Sequence, residues 1–308
     1  MPIHLPVEPR RLKTAGILLS LILTLFISTG LNARQNQATV TQKHCLWEVQ
    51  TSTNKVFLLG SLHLLKSDAY PLAAEIENAY RLSPKVVFET DIGAMEDPAV
   101  QARMLSMAMY PEGQTLLQHI PPDMQKTLKK KMADLGLPLE HFVRFKPWFL
   151  AVTLTTLELQ RLGFSPLSGI DVHYYGRAQS DEKELGYFES IDYQLGLLGK
   201  MSADNQQAFL GQTLKDLEIA AEMADDMVAY WQNGQIEKLH SLLFKSFEDY
   251  PEIENRLLLQ RNKDWVKKIE AMLGGSENVF VVVGAGHLIG PQSVVDLLRQ
   301  NGYKVKQK

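Results

Sequence analysis

Two stretches of this chain are apolar without interruption, Val56-Phe57-Leu58-Leu59 and Val279-Phe280-Val281-Val282-Val283. Neither alternates with polar residues, so each predicts a short strand covered on both faces, as in a parallel sheet packed between helices. Each strand then runs into Gly, two residues, His and Leu: Gly60-Ser61-Leu62-His63-Leu64 in one case, Gly284-Ala285-Gly286-His287-Leu288 in the other. Glycine at the exit keeps the rim of the sheet open. The histidine then falls just beyond the strand's C-terminal end, the edge at which α/β sheets bind ligands.

Ahead of the first strand, Leu46-Trp47-Glu48-Val49 and the turn-rich Thr51-Ser52-Thr53-Asn54 predict a hairpin partner. Leu72, Ile76, Ala79 and Tyr80 predict a helix over 71–82, followed by a strand over 85–91 that contains Glu89 near its end. A crossover of this kind makes the two strands parallel and puts Glu89 on the same rim as His63. Residues 92–163 read as helices punctuated by Pro and Gly, with Phe142, Phe145, Trp148, Phe149 and Leu154 supplying an apolar face. This segment is either a cap that shapes a pocket over the rim or a helical subdomain with structural duties only. A helix begins at Gly169-Ile170-Asp171, and a strand over 183–189 then carries a second carboxylate, Glu189, toward the rim. Helices are expected over 202–233, 236–247 and 251–273, and after His287 a helix over 290–302 leads to a last strand at 303–305. The predicted fold is α/β: a central, mainly parallel sheet formed from N- and C-terminal strand-helix-strand units, with a large helical insertion at about 92–165.

The N-terminus departs from this pattern. Arg10, Arg11 and Lys13 precede the apolar run Ala15–Ile27, about 13 residues long, and small or polar residues continue to Ala33. This is the layout of a secretory signal, and it falls short of the roughly 20 residues that span a bilayer. Residues 1–33 are therefore expected to be a signal peptide or N-terminal anchor, 34–45 a disordered leader, and 46–308 a single domain. That domain would work in the periplasm or as a secreted protein, held at the inner membrane if the signal is not cleaved. The net charge of −3 argues against a nucleic-acid partner. Cys45 is the only cysteine, which removes intramolecular disulfides and thiolate metal clusters.

Two imidazoles and one or two carboxylates on one sheet edge suit a divalent metal of the borderline N/O type, such as manganese, cobalt or zinc. Such a metal lowers the pKa of bound water and polarises a carbonyl. In this reading Glu89 is a ligand or general base, and Arg261 stabilises an oxyanion. The structural alternatives are rim histidines that only hydrogen-bond nearby helices, a Glu89 that caps or pairs, and an Arg261 that pairs with a carboxylate across the helical layer. Neither G-x-S-x-G nor H-E-x-x-H occurs, so serine hydrolases and ordinary zincins lack their motifs.

In order along the chain, Gly60-Ser61-Leu62-His63, Val86-Val87-Phe88-Glu89, Pro147-Trp148, Gly169-Ile170-Asp171, Glu189 with Gln194, Arg261-Asn262 with Trp265, and Gly284-Ala285-Gly286-His287 resemble the TraB/GumN family from about Leu46 to Val305. That family is similar to the Tiki proteins, membrane-associated metalloproteases whose paired G-x-x-H motifs and acid are needed for activity. The resemblance implies metal association for His63 and His287, a catalytic or ligating role for Glu89 and a pocket position for Arg261. Together with the rim reading, the candidate catalytic residues are Glu89, Glu189 and Arg261, the candidate metal residues His63, His287 and Glu89, and the candidate substrate contacts Gly60, Ser61, Gly284 and Asn262. The function expected from it is an exported metal-dependent hydrolase, a peptidase acting on a peptide or protein. The alternative is a non-catalytic extracytoplasmic protein that binds a metal, haem or peptide on the same rim.

Overall fold

A computed structural model describes residues 43–308, so the expected signal segment 1–33 lies outside the described residues. Its six strands are β1 (Leu46–Gln50), β2 (Lys55–Ser61), β3 (Lys85–Phe88), β4 (Glu184–Tyr187), β5 (Val279–Gly284) and β6 (Val305–Gln307). They form one mostly parallel sheet in the order β4-β3-β5-β2-β1-β6. The two uninterrupted apolar strands, β2 and β5, are central and pair in parallel from Val56 opposite Val279 to Ser61 opposite Gly284. Both are buried from Val56 and Val279 onward, so neither face of the sheet meets water there and no alternation is required. β1 returns antiparallel to β2, and β6 adds antiparallel to β1 at the outer edge. β3 is parallel to β2 as the crossover requires, but β5 lies between them. That interposed strand, from the far end of the chain, is what sets His287 between His63 and Glu89.

Helices α1 (Ala74–Arg81), α2 (Pro98–Ala108), α3 (Pro122–Asp134), α4 (Pro147–Arg161), α5 (Ile170–Ser180), α6 (Ile191–Gly199) and α7 (Ala203–Asp216) are followed by α8 (Ala220–Gln232) and α9 (Ile236–Phe244). The helix expected over 251–273 is divided into α10 (Pro251–Glu254), a π-helical turn (Asn255–Leu259) and α11 (Gln260–Leu273); α12 (Val294–Gln300) follows β5. One apolar core surrounds the sheet, and a second joins α3, α4 and α7 with the segment at 247–258. α4 carries apolar residues on two sides for a physical reason. Leu150, Ala151 and Leu154 pack into the second core, while Trp148 of that core, with Phe149 and Val152 packed against it, also lines a cavity between the helical layer and the rim of the sheet. Among the described residues no helix is long and apolar enough to cross a membrane.

Candidate active site

The β2/β5 register aligns Ser61 with Gly284, so the two G-x-x-H loops leave the sheet side by side. β3 ends beside β5, with Phe88 opposite Val282, and β4 ends beside β3, where the Glu189 N–H donates to the Glu89 carbonyl at 2.8 Å. His63, His287, Glu89 and Glu189 thus issue from the C-terminal ends of four adjacent parallel strands.

His63 sits with Nδ1 at 2.7 Å from Asp171 Oδ2, and the Ser61 hydroxyl donates to the other oxygen of the same carboxylate. Asp171 lies in the first turn of α5, which is held against the rim by an Ile170 N–H bond to the Leu62 carbonyl at 3.1 Å. Burial opposes a charge on His63, but the adjacent Asp171 outweighs it and holds the imidazole up at about 9. Among the described residues His63 Nε2 makes no hydrogen bond, and the residue is the half-buried one of the pair.

His287 is buried, and its surroundings differ. Nδ1 lies 2.6 Å from Asn262 Oδ1, while Asn262 Nδ2 donates to the Gln292 carbonyl at 3.0 Å. The amide oxygen is therefore the acceptor, which places the imidazole proton on Nδ1 and leaves Nε2 to accept from Arg261 Nη1 at 3.0 Å. Burial, reinforced by the Arg261 cation, pushes His287 down to about 3.

Arg261 is 1% exposed, and each of its five N–H groups has a partner within the protein. Nε bonds Glu189 at 2.9 Å, Nη2 bonds Glu89 at 2.6 Å and Glu189 at 2.8 Å, and Nη1 bonds His287 and the Leu257 carbonyl at 2.9 Å. Leu257 belongs to the π-helical turn, a distortion that places a backbone acceptor under the guanidinium. No donor is left for a substrate oxygen. Arg261 in this arrangement joins two carboxylates across the layers, which was the structural alternative, and it does not face an oxyanion. Glu189 is likewise fully engaged, by Arg261 and by Trp265 Nε1 at 2.8 Å.

Glu89 accepts from the Gly284 N–H at 2.7 Å through Oε1, and from Arg261 and Gln194 (3.1 Å) through Oε2. Burial would raise its pKa, but Arg261, with the neighbouring imidazoles and the Gly284 N–H, holds it down at about 2. A β-carbon on Gly284 would stand 3.3 Å from Glu89 Oε1, 3.5 Å from His63 Nε2 and 3.8 Å from His287 Cδ2. Glycine therefore leaves open the one point on which these three side chains converge. Gly60 does something else. Its β-carbon would lie 3.1 Å from the backbone of Ala285, and its carbonyl accepts from Trp231 Nε1 at 2.6 Å, so it serves strand packing. Of the residues expected to touch substrate, Ser61 is buried against Asp171 and Asn262 is committed to His287.

Two imidazole nitrogens and Glu89 Oε1 have the right chemistry for a divalent metal, but this arrangement does not suit one. The His287 Nε2 lone pair, which would face the ion, is already taken by the Arg261 cation. Among the described residues no group of three or more His, Cys, Asp or Glu is arranged to hold a metal ion.

Beyond the convergence point lies a cavity of about 280 Å³, with His63, Glu89, Asp171 and Arg261 at its polar end and α4 and α6 along its apolar walls. Asp171 is the principal residue that sequence reasoning did not count as part of the site. An acid in the first turn of a helix ordinarily serves the helix dipole, so its position alone did not distinguish it.

The family model described as the TraB/PrgY/gumN family matches residues 45–307. The uncharacterized protein YbaP of Escherichia coli (strain K12) is 25% identical over 260 residues, covering 83% of this chain and 94% of YbaP. The metalloprotease TIKI2 of Xenopus tropicalis is 20% identical over 312 residues, covering 85% of this chain, and the metalloprotease TIKI1 of Homo sapiens is 22% identical over 317 residues, also covering 85%. The matched region spans 59% and 61% of those two relatives' own lengths. No solved structure matches.

Proposed function

Because this chain belongs to the TraB/PrgY/gumN family, we propose that it is an exported hydrolase of the peptidase type, working where His63 and Glu89 converge above Gly284. The observation that carries the reading is the position of His63 Nε2. It is unpartnered, its ring is oriented through Nδ1 by Asp171, and it adjoins the one Glu89 oxygen not bonded to Arg261. An imidazole set by a carboxylate and opening on a cavity is the arrangement of a proton-transfer group. In the reaction, water adds across the amide: the acyl carbon gains hydroxide as the C–N bond breaks, and the amine leaves with the proton. His63, protonated below about pH 9, gives its Nε2 proton to the leaving amine and recovers one from the attacking water. Asp171 orients the ring and stabilises its charge, Glu89 orients the water, and Arg261 with Glu189 and Gln194 holds Glu89 in place. The names of the Tiki relatives support a peptide or protein substrate. Metal dependence, which those names also suggest, enters as an arm of the test and not as a step.

The test is cleavage of a peptide library by the purified protein, read by mass spectrometry in chelator and with added manganese, cobalt or zinc. Wild type should cleave under at least one condition, and His63→Ala should lower kcat/KM by about 10²–10⁴-fold. Absence of cleavage under every condition would sink the peptidase reading. Export is checked separately by sequencing the N-terminus of the mature protein, which should begin near Arg34.

A further inference from the structure

We propose that the cavity beside His63 is a specificity pocket for one bulky apolar side chain, aromatic or leucine-like, of a peptide substrate. The inference deepens the peptidase reading and rests on it for the word substrate. Its binding content stands apart from turnover.

Two observations carry it. The first is size and lining. The cavity measures about 280 Å³, and its walls include Met104, Trp148, Phe149, Val152, Leu157 and Leu198. An apolar cavity of roughly 150 Å³ suffices for a benzene ring, so this one takes an aromatic or leucine side chain with room for the backbone attached to it. Its apolar wall and the convergence point belong to one continuous space, so a side chain seated there presents its own peptide unit to His63.

The second is the polar end. It holds the carboxylates Glu89 and Asp171, every donor of Arg261 is taken, and His63 Nε2 makes no hydrogen bond among the described residues. The carbonyl of a peptide unit attached to the seated side chain can accept from that nitrogen. A fatty-acid carboxylate would compete for the same donor, and octanoate is its probe in the experiment.

The experiment uses the full purified protein and two readouts. Isothermal titration compares N-acetyl-phenylalanine amide, N-acetyl-leucine amide, N-acetyl-alanine amide and octanoate. Quenched peptides differing only by Ala, Leu or Phe at one position compare kcat/KM. Binding should favour the phenylalanine or leucine amide over the alanine amide by at least about tenfold, with octanoate weaker than either, and the peptides should follow the same order. Thr156→Phe, which places a ring among the lining side chains, should reduce the phenylalanine-to-alanine ratio by about tenfold or more. Amide selectivity without any cleavage would uphold the pocket and overturn the peptidase reading. Cleavage indifferent to Ala, Leu or Phe, together with unselective amide binding, would overturn the pocket and leave the peptidase reading standing. Octanoate binding tighter than the amides would overturn the choice of a peptide side chain.

Discussion

His63 and His287 leave the same sheet, two and three residues beyond paired positions of adjacent strands, yet their environments drive them in opposite directions. His63 rests on a carboxylate, keeps Nε2 free and is held up at about 9. His287 rests on an amide, gives its Nε2 lone pair to a buried arginine and is pushed down to about 3. The difference lies in one functional group at Nδ1 and one cation at Nε2. An imidazole's chemistry at a strand end is therefore set by its second contacts more than by the motif that delivers it.

The contrast can be broken most severely at Arg261. Arg261→Ala strips the cation from the His287 side and leaves Glu89 and Glu189 largely buried without a counter-charge; denaturant unfolding should show a loss of about 3–5 kcal/mol. Asp171→Asn is the next largest change, since it gives His63 the kind of partner that His287 has. It should cost about 1.5–3 kcal/mol at low pH, the scale of a charge-assisted hydrogen bond. The sign follows from the raised value of His63. Its stabilisation is complete below the ordinary histidine value near 6.5 and is lost as pH rises through about 9. Wild type should accordingly lose stability between about pH 6 and pH 10, and Asp171→Asn should lose less over the same interval. Equal slopes in the two proteins would mean that Asp171 does not distinguish the histidines.

The paired glycines offer a finer test. Gly60→Ala would press a methyl on Ala285, both on its Cα at 3.1 Å and on its Cβ at 3.3 Å, and should cost about 1–3 kcal/mol. Gly284 has φ −50°, which alanine adopts readily, so Gly284→Ala should unfold within about 1 kcal/mol of wild type. Its added methyl would nevertheless fill the point shared by His63 and Glu89 and abolish peptide cleavage. If Gly284→Ala kept full activity, the convergence point would not be where the reaction occurs.

How far each feature could be read in advance follows from how local its cause is. The hairpin of β1 and β2, the buried character of β5 and the arrival of Glu89 at the rim all rest on short-range patterns and one crossover. The interruption of 251–273 by a π-helical turn was not legible, because Asn255-Arg256-Leu257-Leu258-Leu259 contains no Pro or Gly to mark a break. Asp171 was visible only as part of the Gly169-Ile170-Asp171 motif and received no site role, because its partner His63 is 108 residues away and local spacing does not pair them. Arg261 was legible as a buried-site cation. Its full engagement was not, since it depends on Glu89, Glu189, His287 and Leu257 arriving together from three other elements and from the turn before α11.

By itself, then, the amino-acid sequence determined which residues stand at strand ends: apolar runs choose the central strands, and the G-x-x-H motifs that close them deliver the histidines to the rim. Only the tertiary structure decided what each of those residues can do. Protonation, lone-pair availability and access to the cavity depend on distances of a few ångströms between segments far apart in the chain, and such distances exist only once the two cores have packed.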